Sequence, residues 1–335
     1  MNSPASHPLS AWVLSDGKAG DELQCASIVE ALGLTPAIRR VAPGAPFTWF
    51  MPRGPIDPRE RPSARNSPIA PPYPDLLVAS GRRAVPYLRH VKRASGGRTF
   101  TVFLKDPRTG AETADLLWVP EHDPLRGPNV IATLTPPHRL SAARLAAARA
   151  APDPRLAALA RPRVAVLTGG DSRHHRFTLE DVARFTRALE ALSGTGAGLM
   201  ITASRRTPPL LLSALQGLAE KGGFLWDGTG ENPYVALLAL ADAVVVTADS
   251  ANMVGEAAAT GAPILVFEPS GGHMKLTATL EALEKASAVH VFHGRLEGER
   301  YAPIDATPMI ARAVAEGLDR HRRTLGLPEV PVLVE

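Results

Sequence analysis

The sequence predicts an α/β protein that is divided into two domains, each with its own parallel sheet. The chain has 335 residues, more than one hydrophobic core usually accommodates, since single cores stop growing at roughly 250–300 residues. Short apolar runs alternate with helical patterns, as expected for parallel sheets with crossover helices. Polar, glycine-rich loops follow several of these runs, which is typical of ligand-binding loops at the carboxyl ends of parallel strands.

The first half of the chain begins this alternation and contains one long interruption. A helix is expected to end at Gly33, because glycine commonly closes helices. The predicted elements are, in order, a strand at residues 12–14, a helix at 22–32, a strand at 76–79, a helix ending at 93, and strands at 99–104 and 116–119.

Ten of the 32 prolines lie between Val41 and Asp75, which predicts a long irregular loop. This Pro-rich loop, residues 41–75, contains the aromatic residues Phe47, Trp49 and Phe50. We expect these side chains to pack against the domain, and ligand binding is the alternative. The loop is also the expected location of acceptor specificity.

The second half repeats the alternation after an alanine-rich stretch at residues 141–160. Thr178 and Asp181 are spaced as a helix N-cap and its capping-box partner. We expect an N-terminal domain over residues 1–150, a C-terminal domain over 155–305, and a helix and tail over 306–335 that pack back on the N-terminal domain. The predicted strands are 163–167, 198–202, 223–226, 243–247 and 263–267, and the predicted helices are 178–192, 207–220, 233–240 and 251–260.

Composition excludes several classes of protein. The 37 basic and 33 acidic residues give a net charge of only +4, which is too mild for a nucleic-acid-binding surface. The single cysteine, Cys25, cannot form an internal disulfide, and no Cys/His cluster has zinc spacing, so no metal site is expected. Neither a transmembrane run nor a secretory signal is predicted, and a cytoplasmic protein is therefore expected.

A basic amphipathic stretch in the first half is expected to be a solvated helix face. Peripheral contact with anionic headgroups at the inner face of a membrane is the alternative interpretation. The stretch consists of Arg82, Arg83, Arg89, Lys92 and Arg93.

The first polar loop, Ser15 to Asp21, lies between a predicted strand and a predicted helix. Gly17 and Gly20 allow the backbone to approach a ligand, and Lys18 adds positive charge near a helix N-terminus, which favours an anion or acceptor site. The loop matches neither a Walker A motif nor G-x-G-x-x-G. A tight turn that merely needs glycine is the alternative.

Two loops of the second half also follow predicted strands. In one, Gly169 and Gly170 would let a phosphate approach the backbone, and Arg173 would neutralise its charge. In the other, Ser204 is followed by Arg205 and Arg206, and the planar guanidinium of arginine suits a diphosphate. A solvated helix start is the alternative for the second loop.

The most specific stretch covers residues 247–263. Asp249 and Ser250 stand at a predicted helix start, where Ser250 and backbone N–H groups favour a diphosphate, and Glu256 is placed to accept from ribose hydroxyls. Asn232 lies in a further polar loop that is expected at the same edge. The alternative is that Asp249 and Ser250 are simple N-caps.

His122 and Asp123 follow a predicted strand of the first half. They suggest an acid/base pair, but neighbours along a strand rarely point in the same direction. His122 is therefore kept as a candidate for acid/base chemistry without Asp123 as its partner.

The motifs together resemble a known family. The stretches WVLSDGKAGDELQ, PEHD, NVIATLTPPHRL, GGDSR, ITASRRTP, GENPY and VVTADSANMVGEAAATGAPILVFEP occur in the order typical of the ELM1-like (mitochondrial fission ELM1) family. The resemblance covers residues 12–269. It implies a GT-B glycosyltransferase-like architecture, with two facing Rossmann-like domains of which the C-terminal one holds a nucleotide-sugar.

The resemblance also implies an activity and site roles. It implies a metal-independent glycosyltransferase that uses a nucleotide-diphospho-sugar as co-substrate and no cofactor, with Asp16 as the first candidate for the general base and His122 as the second. Acceptor-side or sugar contacts are implied for Asp16, Gly17, Lys18 and Gly20, and donor contacts for Gly169, Gly170, Ser204, Arg205, Ser250, Met253 and Glu256.

Several alternatives stay open at this point. The acceptor is undetermined, and a lipid-linked or envelope glycan is one candidate. A UDP-sugar epimerase that needs no NAD, and a non-catalytic nucleotide-sugar-binding or scaffold protein, are the other functions that the resemblance allows. Neither the nucleotide base, the sugar, the stereochemical outcome nor the oligomeric state follows from the sequence.

Overall fold

The structure is a computed structural model that describes residues 9–286 and 288–328. It forms two compact units, residues 9–139 with 306–328 and residues 140–286 with 288–305. Each unit contains a six-stranded sheet in which all strand pairs are parallel. The predicted α/β class with parallel sheets is therefore confirmed. The expected tail at residues 329–335 lies outside the described residues.

The elements alternate along the chain, with two short 3₁₀ turns at Pro58–Glu60 and Ala111–Thr113. The first unit begins with β1 (Ala11–Ser15), α1 (Ala19–Ala31), β2 (Pro36–Arg40), α2 (Phe47–Phe50), β3 (Leu76–Ser80), α3 (Val85–Ala94), β4 (Phe100–Leu104), β5 (Leu116–Pro120) and β6 (Val130–Thr133). The second unit comprises α4 (Ala142–Ala150), α5 (Pro154–Ala157), β7 (Arg163–Thr168), β8 (His175–Arg176), α6 (Leu179–Gly194), β9 (Gly198–Ala203), α7 (Pro209–Glu220), β10 (Phe224–Trp226), α8 (Tyr234–Leu240), β11 (Ala243–Thr247), α9 (Ala251–Ala258), β12 (Ile264–Phe267), β13 (Ser270–Gly271), α10 (Met274–Lys285) and β14 (Val289–Val291). Helix α11 (Thr307–Thr324) returns to the first unit.

The sheet of the first unit has the order β2-β1-β3-β4-β5-β6 and is covered on both faces. Alternate strand residues enter two separate cores, because side chains of a strand point to opposite faces. Val13 and Val78 pack with α1 and α11, whereas Leu14 and Leu77 pack with α3 and the Pro-rich loop. Because all pairs in this sheet are parallel, the carboxyl ends of its six strands meet at one edge.

The Pro-rich loop contains little regular structure, as expected, but it is anchored. Met51 and Ile69 are buried in the core beneath α3, and the Asp57 carboxylate accepts from the Gly44 N–H at 2.9 Å. Trp49 and Phe50 are 75% and 61% exposed. The expectation that the aromatic residues pack is therefore wrong for these two.

The sheet of the second unit has the order β10-β9-β7-β11-β12-β14. Helix α4, expected in the N-terminal domain, belongs to this unit because it packs against α8. Leu145 is buried, and Arg149 Nε donates to the Ala239 carbonyl at 2.9 Å. The boundary thus falls between Arg139 and Leu140 rather than at residues 150–155.

Candidate functional site

In the second unit, three predicted loops meet at one edge of the sheet. Strands β9, β7 and β11 are adjacent, and the loops that follow them contain Ser204, Gly169 and Asp249 respectively. Because the strands are parallel, their carboxyl ends lie side by side. The structure therefore brings together loops that are 35 to 80 positions apart along the chain.

Asp249 links these loops. Its side chain is fully buried and accepts three hydrogen bonds, from Thr247 Oγ1 at 2.7 Å, from the Gly170 N–H at 3.1 Å and from Arg206 Nη2 at 2.7 Å. The carboxylate is thus occupied by the protein itself. Asp249 positions the loops and is not a helix N-cap.

Gly169 and Gly170 are held within the same network. The Gly169 carbonyl accepts from Ser204 Oγ at 2.9 Å and from Thr207 Oγ1 at 2.5 Å. A Cβ at Gly169 would overlap Asp249 Oδ1, and one at Gly170 would overlap the Arg206 carbonyl. Contacts between the loops therefore already require both glycines, and their predicted approach to a diphosphate stays a prediction.

The arginines of this edge have different roles. Arg206 is tied to Asp249 and also donates to the carbonyls of Gly170 and Asp171 at 3.1 and 3.0 Å. Arg173 and Arg205 are exposed, and neither forms an ion pair among the residues that the structure describes. Of the three arginines that the sequence suggested for an anion, Arg173 and Arg205 therefore remain available, whereas Arg206 is occupied by Asp249. Sequence reasoning missed the structural role of Arg206.

Helix α9 begins at this edge. Ser250 is its N-cap, and its hydroxyl accepts from the Met253 N–H at the long distance of 3.4 Å. The N-cap alternative is therefore correct for Ser250. Met253 is half-buried in the first turn.

Glu256 lies farther along α9 and pairs with a residue that was not predicted. Tyr234 Oη donates to Glu256 Oε2 at 2.6 Å and so joins α8 to α9. Burial raises the pKa of Glu256, and the hydrogen bond from Tyr234 opposes this effect only in part. Burial and the neighbouring carboxylate also raise the pKa of Tyr234. Asn232 is exposed in the preceding loop.

A small antiparallel ribbon, β8 with β13, lies beside this edge. His175 of the ribbon is buried, and burial lowers the pKa of its imidazole, an effect that the charge of Asp249 opposes. The rings of His174 and His273 lie 4.3 Å apart between centroids. Burial thus favours the neutral form of the His175 imidazole.

In the first unit, Asp16 follows β1, and its carboxylate is buried with one of its two oxygens lacking a hydrogen bond from any described residue. Its side chain is only 5% exposed, and its Oδ2 accepts from Lys18 Nζ at 3.1 Å. Its Oδ1 is buried and makes no hydrogen bond with any residue that the structure describes. Gly81, at φ +94° after β3, makes room for this carboxylate, because a Cβ there would lie 2.8 Å from Asp16 Cγ.

The rest of this loop matches the prediction only in part. Gly17 has φ +85°, a conformation that favours glycine. Lys18 is the N-cap residue of α1, and its Nζ lies 3.9 Å from Asp21 Oδ2, while Lys105 also pairs with Asp21. Gly20 lies within α1 and not in the loop. It was misplaced because α1 begins three residues earlier than predicted.

His122 follows β5, and the structure does not bring it to Asp16. Strands β3 and β4 separate β1 from β5, which corresponds to about 14 Å at the usual strand spacing. Asp123 is buried. Asp16 and His122 are therefore separate candidates and not an acid/base pair.

The described ranges contain neither a cluster of metal-binding side chains nor a helix that could span a membrane. Residues 9–286 and 288–328 contain no group of three or more His, Cys, Asp or Glu side chains that could hold a metal ion. Over the same residues, no helix has both the length and the apolar character that crossing a bilayer requires.

Comparisons with known proteins give both a family and a fold. The sequence model of the family described as "Mitochondrial fission ELM1" matches residues 19–318. The Arabidopsis thaliana protein named "Mitochondrial fission protein ELM1" is 27% identical over 282 residues, which cover 75% of this chain and 64% of that protein. The chain spans less than two thirds of the length of the curated relatives that it matches.

Two solved structures have a similar fold. The S. aureus MnaA–UDP co-structure is 12% identical with a TM-score of 0.51, and the alignment covers 96% of this chain and 99% of that one. The UDP-GlcNAc 2-epimerase from Neisseria meningitidis bound to UDP-GlcNAc is 12% identical with a TM-score of 0.50, and covers 96% and 95%. These likenesses concern the fold alone, which is GT-B-like as the sequence resemblance implied.

Proposed function

This chain belongs to the mitochondrial fission ELM1 family, and from that premise we propose that it is a GT-B-type glycosyltransferase. Its donor would be a nucleotide-diphospho-sugar, held by the second unit without a metal ion or cofactor. The acceptor would present a hydroxyl group to the first unit, and a lipid-linked or envelope glycan is the acceptor class that we propose. The enzyme would act on the cytoplasmic side.

The observation that carries the proposal is the unsatisfied oxygen of Asp16. A buried polar atom without a hydrogen bond costs about 1–3 kcal/mol, so Oδ1 favours a ligand that donates to it. Lys18 holds Oδ2 at 3.1 Å and thereby orients the carboxylate. A general base must lie within hydrogen-bond reach of the hydroxyl that it deprotonates, and an acceptor hydroxyl at Oδ1 meets this requirement.

The polar edge of the second unit supports the donor part. Arg173 and Arg205 are exposed cations, and a guanidinium pairs well with phosphate oxygens. The N-terminus of α9 adds positive dipole charge. These groups would stabilise the charge that develops on the leaving diphosphate. Glu256 would accept from a ribose hydroxyl while Tyr234 keeps its carboxyl group oriented.

A second candidate is a UDP-sugar epimerase that acts without NAD. The two solved structures of similar fold contain UDP or UDP-GlcNAc, so UDP-sugars are the first ligands to test. An epimerase changes the sugar in the absence of an acceptor, whereas a transferase requires the acceptor. Incubation of the protein with UDP-sugars alone therefore separates the two reactions.

Nucleotide binding is tested first, by thermal unfolding with UDP-, GDP-, ADP- and CMP-sugars. A ligand at about 100 times its Kd adds about 2.7 kcal/mol of stability, which raises Tm by about 5–10 °C for a unit of this size. Arg205→Gln should reduce the shift, and Arg187→Gln, which removes an exposed arginine of α6, should not. If no nucleotide-sugar shifts Tm, the catalytic proposal fails and a non-catalytic binding or scaffold role replaces it.

Catalysis is tested with Asp16→Asn, which keeps the shape but removes the base. Transfer should fall by about 10²-fold or more while the nucleotide-induced Tm shift stays intact. Asp319→Asn, on the surface of α11, is the matched control and should retain activity. Transfer at the parental rate by the Asp16 variant would remove this residue from the mechanism.

A further inference from the structure

The first unit contains a positively charged cavity that Asp16 does not line. It has a volume of about 270 Å³ and lies between residues 53–56 of the Pro-rich loop and α3. Arg53, Arg89, Arg93 and His90 supply its polar wall, and Ile56 and Pro86 contribute apolar surface. None of the residues that line the cavity is acidic.

No acidic side chain in the described part of the unit forms an ion pair with these arginines. Arg53 and Arg93 are exposed, and neither pairs with a carboxylate among the residues described. Arg89 makes a long contact, 3.5 Å from Nη2 to Thr113 Oγ1. Lys92 of the same helix, by contrast, is paired with Asp115. Burial and the charge of Arg93 lower the pKa of His90, as expected beside an uncompensated cation.

Two exposed aromatic side chains adjoin this cavity. Trp49 is 75% exposed and Phe50 is 61% exposed. The Phe50 carbonyl accepts from the N–H groups of Arg53 and Gly54 at 2.9 and 2.7 Å, so the aromatic turn is continuous with the cavity wall. Met51, the next residue, is buried in the core and anchors the turn. The two rings are therefore presented to solvent by an anchored segment.

We propose that the aromatic–arginine surface, defined as Trp49, Phe50, Arg53, Arg89 and Arg93, docks the first unit on a bilayer that contains anionic phospholipids. A lipid phosphate occupies the cavity and pairs with the guanidinium groups. Trp49 and Phe50 enter the headgroup region, where amphipathic aromatic rings are favoured.

This surface differs from the basic stretch that the sequence suggested. Lys92 is paired with Asp115. Arg53, from the Pro-rich loop more than 30 residues earlier in the chain, lines the cavity together with the arginines of α3. Docking requires no sugar nucleotide. Vesicle binding thus succeeds or fails independently of the proposed transferase activity.

The first test is co-sedimentation of the full chain with vesicles. Vesicles contain phosphatidylcholine alone or with about one third phosphatidylglycerol, and binding is expected only to the anionic ones. One basic side chain contributes about fivefold to binding near an anionic surface, so Arg53→Gln/Arg93→Gln should weaken it about 25-fold. Arg187→Gln/Arg312→Gln removes the same charge from α6 and α11 and should bind like the parent chain.

Two results would overturn the proposal. One is no binding to anionic vesicles, and the other is an equal loss in both double variants, which would indicate diffuse charge attraction. Thermal unfolding of each variant is the control for an intact fold. Because all four arginines are solvent-accessible, their replacement should leave Tm almost unchanged.

A second test localises the contact with tryptophan fluorescence. Trp12 and Trp118 are buried, whereas Trp49 is the exposed tryptophan of this surface. Anionic vesicles should shift the emission to the blue, and Trp49→Phe should abolish most of this shift while retaining binding. Trp49→Ser/Phe50→Ser should reduce binding at least tenfold. An unchanged blue shift in Trp49→Phe would show that another region meets the bilayer.

Discussion

Replacement of Asp249 by alanine is the sharpest test of how the candidate donor site is built. The carboxylate is fully buried and accepts from Thr247, from the Gly170 N–H and from Arg206. The variant leaves the first two donors buried without an acceptor. The loop that contains Gly169 and Gly170 should then open without unfolding of the whole unit.

The magnitude follows from the burial of each partner. A buried donor that loses its acceptor costs about 1–3 kcal/mol. The Arg206 side chain is 43% exposed, so its guanidinium regains water and its contribution is discounted to about 0–1 kcal/mol. The local opening free energy should therefore fall by about 2–3 kcal/mol, a sum that non-additivity reduces from the two-donor maximum.

Amide hydrogen exchange measures this local opening directly. The Gly169 N–H donates to Thr247 Oγ1 at 2.8 Å and the Gly170 N–H donates to Asp249 Oδ2 at 3.1 Å. A loss of about 2–3 kcal/mol speeds exchange by about 30- to 150-fold. Amides of β5, in the other unit, serve as an internal control and should exchange at the parental rate.

Arg206→Gln distinguishes the hydrogen bonds from the ion pair. Since the guanidinium is partly exposed, this variant should cost less than about 1 kcal/mol. If Arg206→Gln speeds exchange at Gly170 as much as Asp249→Ala does, the ion pair holds the loop and our reasoning about burial is wrong. Unchanged exchange in Asp249→Ala would show that the carboxylate does not position the loop.

Three further predictions concern stability and reactivity. Gly169→Ala should destabilise by about 1–3 kcal/mol in urea unfolding, because its Cβ would overlap Asp249 Oδ1. Gly217→Ala, which faces open space on α7, should stabilise by about 0.5–1 kcal/mol. Two equal effects would refute the steric argument. Burial raises the pKa of Asp181, but hydrogen bonds from Ser270, Arg184 and Thr178 outweigh it and hold that pKa well below its ordinary value. The stabilisation by the Asp181 carboxylate is therefore present above about pH 4 and is lost as the pH falls towards the folded-state pKa. Asp181→Asn should consequently destabilise the protein at pH 7 and much less at pH 2. Glu316→Gln, on the exposed face of α11, should leave the pH profile of stability unchanged. Cys25 is buried and burial raises the pKa of its thiol, so a thiol reagent should label it only after unfolding, and labelling at the rate of a free thiol would contradict its burial.

Local signals in the sequence were sufficient for the fold class and for several elements. Thr178 and Asp181 form the predicted capping box, because the two residues are three positions apart and need no distant partner. The alternation of buried strands with helices likewise depends only on neighbouring residues. The strand-end loops were located correctly because glycine and polar residues must follow a strand that ends at a ligand edge or a tight turn.

The contacts within the candidate site could not be predicted in the same way. Arg206 rather than Arg205 meets Asp249, 43 positions away, and Tyr234 rather than Asn232 meets Glu256. Arg205 and Arg206 are adjacent and chemically identical, yet Arg206 reaches Asp249 while Arg205 is exposed. The choice between them depends on the backbone path of each loop and on the order of the strands.

The sequence by itself determined the α/β class, the parallel alternation, the membership in the family and the loops that carry polar groups. Only the tertiary structure decided which side chains face one another. It left Asp16 Oδ1 buried beside Gly81 with no hydrogen-bond donor from the described part of the chain, and it placed Arg53 at the same cavity as the arginines of α3. The physical reason is that periodicity and capping act within a few residues, whereas burial and hydrogen-bond partners arise from segments that strand order brings together.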